Sequence, residues 1–168
     1  MGATLHDDAE EVFVNPLDLI EQIVLAHDWP FDRTSEREIA AEVTGRWCDY
    51  RLYFSWREDV QALHFTCAFD VRVPSEKSRE VHSLLAMINE KLWLGHFDLW
   101  TEEGLPLFRH ALLLRGSSGL AVEQMEDLVD IAITESERFY PAFQYVVWGG
   151  KSPQEAMASS ILETVGEA

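Results

Sequence analysis

The sequence is short of cysteine. It has two in 168 residues, Cys48 and Cys67. That is too few for a disulfide framework, and no CxxC pair stands ready for zinc. It is also short of basic residues, with 13 Lys and Arg against 30 Asp and Glu and a net charge of -17. So negative a surface repels phosphate backbones and anionic lipid, which argues against nucleic acid and against the membrane as partners. No apolar run approaches the roughly 20 residues that span a bilayer. The N-terminus lacks a basic-then-apolar export pattern. Together these absences lead us to expect a cytoplasmic, reduced protein.

Catalytic spacing is missing too. The histidines stand at 6, 27, 64, 82, 96 and 110 and form no HxH, HxxxH or HExxH, so no metal site is expected. Ser117-Ser118 lies in a glycine loop without GxSxG, GxGxxG or Walker spacing. Glu102-Glu103 reads as two solvated carboxylates at a turn. No cofactor is expected, and the chain reads as non-enzymatic.

What the chain does have is hydrophobic periodicity, with 47% hydrophobic residues, enough to bury a core. Residues 1–14 read as an acidic flexible tail carrying Asp7, Asp8, Glu10 and Glu11. Within it Val12-Phe13-Val14 is the apolar exception, able to dock or to act as a hydrophobic staple. Asn15-Pro16 is a cap followed by a proline suited to the first helical position. The helix it opens has its stripe at Leu19, Ile20, Ile23, Val24 and His27, and ends near Asp28.

Three alternating segments follow, over Glu38–Thr44, Trp47–Trp56 and Leu63–Arg72, joined by short turns. They predict an antiparallel meander with one apolar face and one polar face. Ser75 reads as the cap of a central helix with Val81, Leu84, Leu85, Ile88 and Leu92 inward, stopped by Gly95. Two more strands are expected, His96–Trp100 and Leu105–Arg115, with the second apolar on both faces and so covered on both. A long helix carries Met125, Leu128, Val129, Ala132, Phe139, Phe143, Val146 and Val147 inward. Pro141 should kink or split it. Ser152-Pro153-Gln154-Glu155 is a capping box for a short final helix.

The fold class is therefore α+β: helix, three-stranded antiparallel meander, helix, two-stranded hairpin, long helix. The folded unit spans residues 15–149, and a short C-terminal helix occupies 150–168. Cys48 and Cys67 fall on facing apolar sides of neighbouring strands, where a buried reduced pair is expected.

Three aromatics are candidates for a partner-binding surface. Trp47 and Tyr53 fall on the polar face of their strand, and Trp100 is out of phase with Phe97 and Leu99. Large rings on a polar face bring contact area at low entropic cost. The alternative is that a terminal helix covers them. His82, Ala86, Asn89 and Trp93 form a weaker second stripe on the central helix and are the candidate dimer face. Asn89, Glu90, Arg109 and His110 read as structural, with Asn89 and Glu90 satisfying backbone groups and Arg109 pairing with a carboxylate.

Ile88-Asn89-Glu90-Lys91, Leu94-Gly95-His96-Phe97 and Gly104-Leu105-Pro106-Leu107-Phe108-Arg109-His110-Ala111-Leu112 carry a resemblance. Over about residues 15–148 the chain resembles the YbjN-like proteins, also called bacterial sensory transduction regulators. That family is similar in fold to the type III secretion chaperones, which are small, acidic, dimeric and non-enzymatic and hold an extended segment of a client. The resemblance implies a homodimer that binds another protein as a chaperone-like or regulatory adaptor. The alternative is a small-ligand or signal-sensing regulatory domain.

Overall fold

The computed structural model describes residues 15–166; the acidic-tail reading of residues 1–14 lies outside them. Six strands form one sheet: β1 (Phe31–Ser35), β2 (Glu38–Thr44), β3 (Asp49–Arg57), β4 (Ala62–Ala68), β5 (His96–Trp100) and β6 (Leu105–Leu113). Their order is β1-β2-β3-β4-β6-β5, with every neighbouring pair antiparallel. The helices are α1 (Pro16–Ala26), α2 (Ser78–Asn89), α3 (Val122–Val147) and α4 (Pro153–Gly166), with a single 3-10 turn at Ser75–Lys77 before α2. This is an α+β architecture.

The alternation along each strand decides which face is covered. Tyr50, Leu52 and Phe54 of β3 and Leu63, Phe65 and Cys67 of β4 are fully buried. They meet Leu17, Ile20 and Val24 of α1 and Met125, Ala132 and Phe143 of α3 in one core. α1, α2 and α3 contact strands of the sheet, and α4 packs on α2 and α3; among the described residues the second face carries no helix. Crossing from β4 to β5, α2 joins two parallel strands separated by β6. Its inner stripe is Val81, Leu84, Leu85 and Ile88, as the spacing predicts.

Asn15 caps α1 by accepting from the Leu17 amide at 3.0 Å, and its own amide reaches the carbonyl of Glu36 at 2.8 Å. Ser152 caps α4 by accepting from the Glu155 amide at 3.2 Å. Ala156 and Met157 bury α4 in the shared core.

Here the structure departs from the sequence reading in four places. An unforeseen strand, β1, precedes the meander, so four consecutive strands run side by side. Ser75 does not cap α2, because the 3-10 turn intervenes and its hydroxyl turns toward Glu76. The helix ends at Asn89, before Leu92, since the Asn89 side chain is drawn onto β5. Gly95 follows as a left-handed residue with φ 67°, where any Cβ would clash with the Phe108 ring. Last, α3 is unbroken through Pro141. A proline missing its amide leaves only the Glu137 carbonyl without its helical partner, and packing against the core holds the rest.

Candidate functional site

The helix-free sheet face is built by register. Ala40 pairs with Tyr53, Tyr53 with Thr66, Thr66 with Arg109, and Arg109 with His96. These residues therefore form one row across five strands, all pointing away from the helices. Trp100, two residues along β5 from Asp98 and so on the same side, lines this face together with Leu107. The result is a concavity of about 310 Å³ lined by Ala40, Tyr53, Thr66, Trp100, Leu107 and Arg109. Its floor is buried, with Leu107 1% and Thr66 8% exposed, while Trp100 on the wall is 43% exposed. The short Thr66 in mid-row, between the longer Tyr53 and Arg109, makes the hollow.

Tyr53 and Trp100 are thus brought together. Trp47 is not with them. The turn after β2 closes through the Gly45 amide and the Cys48 carbonyl at 2.9 Å, so β3 begins at Asp49 and Trp47 sits in the turn. Its ring stacks on Tyr140 of α3 at 6.2 Å, with the Arg46 guanidinium 5.0 Å from its centroid. The expected place on the polar strand face is corrected: Trp47 belongs to the helical side. The expectation that β6 is covered on both faces is corrected too. Leu107 is shaded by the concavity, but Leu113 on the same face is 78% exposed. The two-sided apolar pattern of β6 was the sequence signal for this floor.

Arg109 pairs with Asp98 at 3.3 Å, as anticipated. Its Nε is buried and has no hydrogen-bond partner among the described residues. Burial, then the charges of Arg109 and His96, hold the His64 imidazole below its ordinary pKa of 6.5. It is therefore neutral at physiological pH.

The two sheet edges differ. On β5 the Asn89 side chain donates to the Phe97 carbonyl at 3.0 Å and accepts from the Phe97 amide at 2.7 Å. One carboxamide does what a neighbouring strand would do, and closes that edge. No such clamp lies on the outer edge of β1 among the described residues, and its Asp32, Thr34 and Ser35 are exposed.

Asn89 is thereby committed to its own chain. His82 and Ala86, of the same candidate dimer face, are exposed along α2. Trp93 lies in the turn after α2, 99% exposed, beside Leu94 at 49%.

Beneath α3 lies a second polar group. The Glu137 carboxylate accepts from Tyr50 Oη at 3.0 Å and from the Arg46 amide, and Tyr140 Oη donates to Asp70 at 3.2 Å. Burial pushes the Tyr50 and Tyr140 hydroxyls up. It also pushes the Cys48 and Cys67 thiols up to about 12. Both cysteines are free, and thiols held protonated in this way are poor nucleophiles. No cluster of three or more metal-ligating side chains occurs among the described residues. No helix among them is long and apolar enough to cross a membrane.

Comparison with known proteins bears on this geometry. The model of the YbjN family, described as "putative bacterial sensory transduction regulator", matches residues 16–145. No curated protein matches the chain. Among solved structures, the chain is similar to that titled "Crystal structure of YbjN, a putative transcription regulator from E. coli". The likeness has a TM-score of 0.50 and 12% identity, and covers 71% of this chain and 84% of that one. At such identity it shows a shared fold.

Proposed function

The chain belongs to the YbjN family, and from that premise we propose a regulatory, non-enzymatic module that binds an extended segment of another protein. The family's description as a regulator sets the class. The observation that carries the finer reading is the open-face concavity, with Tyr53 and Trp100 over a buried Leu107 floor. Aromatic walls around an apolar floor suit the side chains of an extended peptide. The unclamped β1 edge suits its backbone. This is the mode of a type III secretion chaperone-like adaptor working in the cytoplasm.

The test places a photo-crosslinking amino acid at position 100 and, as control, at Glu126 on the outer side of α3. A partner peptide is expected to be captured from position 100 and not from 126. With that peptide, Tyr53→Ala and Trp100→Ala should each weaken binding roughly 5–30-fold, the range of a loss of about 1–2 kcal/mol, with unchanged melting. Equal capture from both positions, or loss of melting temperature in both variants, rejects the reading.

The homodimer is proposed through the end of α2, where Trp93 and Leu94 stand exposed beside the His82–Ala86 stripe. Trp93→Glu should sediment as a monomer at concentrations where the unaltered chain is a dimer. A dimer unaffected by the change rules this face out. A second reading, small-ligand sensing, is favoured by the concavity volume, which lies at the lower end of ligand pockets. A ligand co-purifying with the chain and lost in Trp100→Ala would support it.

A further inference from the structure

We propose that the segment bound in the open-face groove brings an acidic side chain to Arg109, two residues from a large apolar side chain seated over Leu107 between Tyr53 and Trp100. This rests on the groove being the binding surface and names the chemistry of its partner.

The first argument is spacing. Leu107 and Arg109 are two residues apart on β6 and so stand on the same side. Both line the concavity. Alternate side chains of an extended segment repeat at that same interval. A segment laid along β6 with an apolar side chain over Leu107 therefore brings its next side chain on that face to Arg109.

The second argument is unspent donor capacity. Arg109 Nη1 ends on Asp98 at 3.3 Å, a long contact, and Nε has no partner among the described residues. The side chain is 35% exposed, so the outer part of its fork is open to a carboxylate, which takes such a fork two bonds at a time.

The third is local charge. The net charge of -17 would by itself favour a basic partner. Salt screens over about 8 Å, so at contact the nearest groups decide. The inner strands β3, β4 and β6 put Arg51, Arg57 and Arg109 on this face, against Asp49 as their one carboxylate there among the described residues. The field that helps burial to hold His64 neutral also favours a bound anion. Glu38, on the opposite rim, turns away a second acidic side chain, so one end of the groove reads the acid.

Phage-displayed random linear peptides, selected on the full-length chain, test this. Asp or Glu two positions from an aromatic or large aliphatic residue should be enriched severalfold over the unselected library. Selection on Arg109→Gln should lose the acidic preference and keep the apolar one, and selection on Trp100→Ala should do the reverse. Asp98→Asn removes the competing carboxylate and should strengthen the acidic preference, which a damaged fold would not do. A selected peptide resynthesised with its acid changed to the amide should bind roughly 3–10-fold more weakly. Enrichment of Lys or Arg at that position, or an acidic preference unchanged in Arg109→Gln, overturns the proposal. Phenylacetate competing as well as the peptide also overturns it, and makes a small carboxylate the ligand. A dimer that Arg109→Gln dissociates, with no peptide enriched, makes a second copy the occupant. Apolar enrichment that depends on Tyr53 and Trp100 without any acidic preference defeats this inference alone. No enrichment on the unaltered chain, with no capture from position 100, defeats the binding reading with it.

Discussion

Replacing Asn89 by leucine is expected to lower the unfolding free energy by about 2–4 kcal/mol, and the melting temperature by roughly 5–15 °C. The size follows from what is left behind. Phe97 is 2% exposed, and its outward amide and carbonyl both end on the Asn89 carboxamide. Leucine supplies neither donor nor acceptor, so two polar groups lose their partners at a position where water has little access. Each such loss costs about 1–3 kcal/mol. Asn89→Asp separates the two bonds. An introduced carboxylate still accepts from the Phe97 amide but sets a second oxygen against the carbonyl. Its pKa should rise, because only the protonated acid can donate. The deficit of that variant should then shrink as pH falls toward the carboxylate range. Thermal melts of both variants at neutral and acid pH decide it. If the leucine variant melts with the unaltered chain, the clamp does not hold β5.

The same residue shows where the sequence stops being legible. Periodicity placed α2 and its inward Val81, Leu84, Leu85 and Ile88, because burial of one stripe repeats every few residues and needs no distant information. It ran the helix on toward Leu92 and Gly95. The actual end at Asn89 is set by a bond to Phe97, eight residues away in sequence, for which no local pattern exists. The strands β2, β3 and β4 were legible for the same reason as α2, since their alternation marks a half-buried sheet. β1 was not, because Phe31–Ser35 is an edge strand exposed on most positions, and its only strong apolar residue is Phe31. For the site, strand parity put Tyr53 and Trp100 on the open face and the register brought them together. Trp47 was misplaced by a turn. With Gly45-Arg46 taken as the whole turn, β3 would start two residues early, and the Gly45–Cys48 closure removes Trp47 from it. Leu107 and Thr66 became a floor only through their neighbours in β3 and β5, which is information about pairing and not about composition. The aligned motifs from Ile88 to Leu112 carried the family because a family pattern holds such distant constraints in short form.

Phe69→Ala is expected to cost about 3–5 kcal/mol, the range for removing a buried phenylalanine ring, and to lower the melting temperature by roughly 6–20 °C. Phe69 lies just past β4, tied to the sheet by its amide on the Pro106 carbonyl at 3.0 Å. Its ring is 2% exposed and touches four others. Tyr50 at 5.7 Å and Phe97 at 5.9 Å belong to the sheet, and Tyr140 at 5.7 Å and Phe143 at 5.3 Å belong to α3. These four contacts join three elements, β3, β5 and α3, to one ring, so a cavity here cannot close by the shift of a single side chain. α3 and the sheet would have to approach together, against the Phe97 contacts with Phe139 and Phe143 that fix their separation. Phe69→Leu keeps part of the volume and loses the edge-to-face geometry, which is worth about 0.5–1.5 kcal/mol per aromatic pair. It should fall between the alanine variant and the unaltered chain. Tyr53→Ala, on the other side of the same sheet, should leave melting almost unchanged. This contrast is the sharper result, since it separates the packed face from the open one. Should Phe69→Ala melt within a degree or two of the unaltered chain, the aromatic cluster does not join α3 to the sheet. Should Tyr53→Ala melt as low as Phe69→Ala, the open face is part of the core, and its concavity is not free to receive a partner.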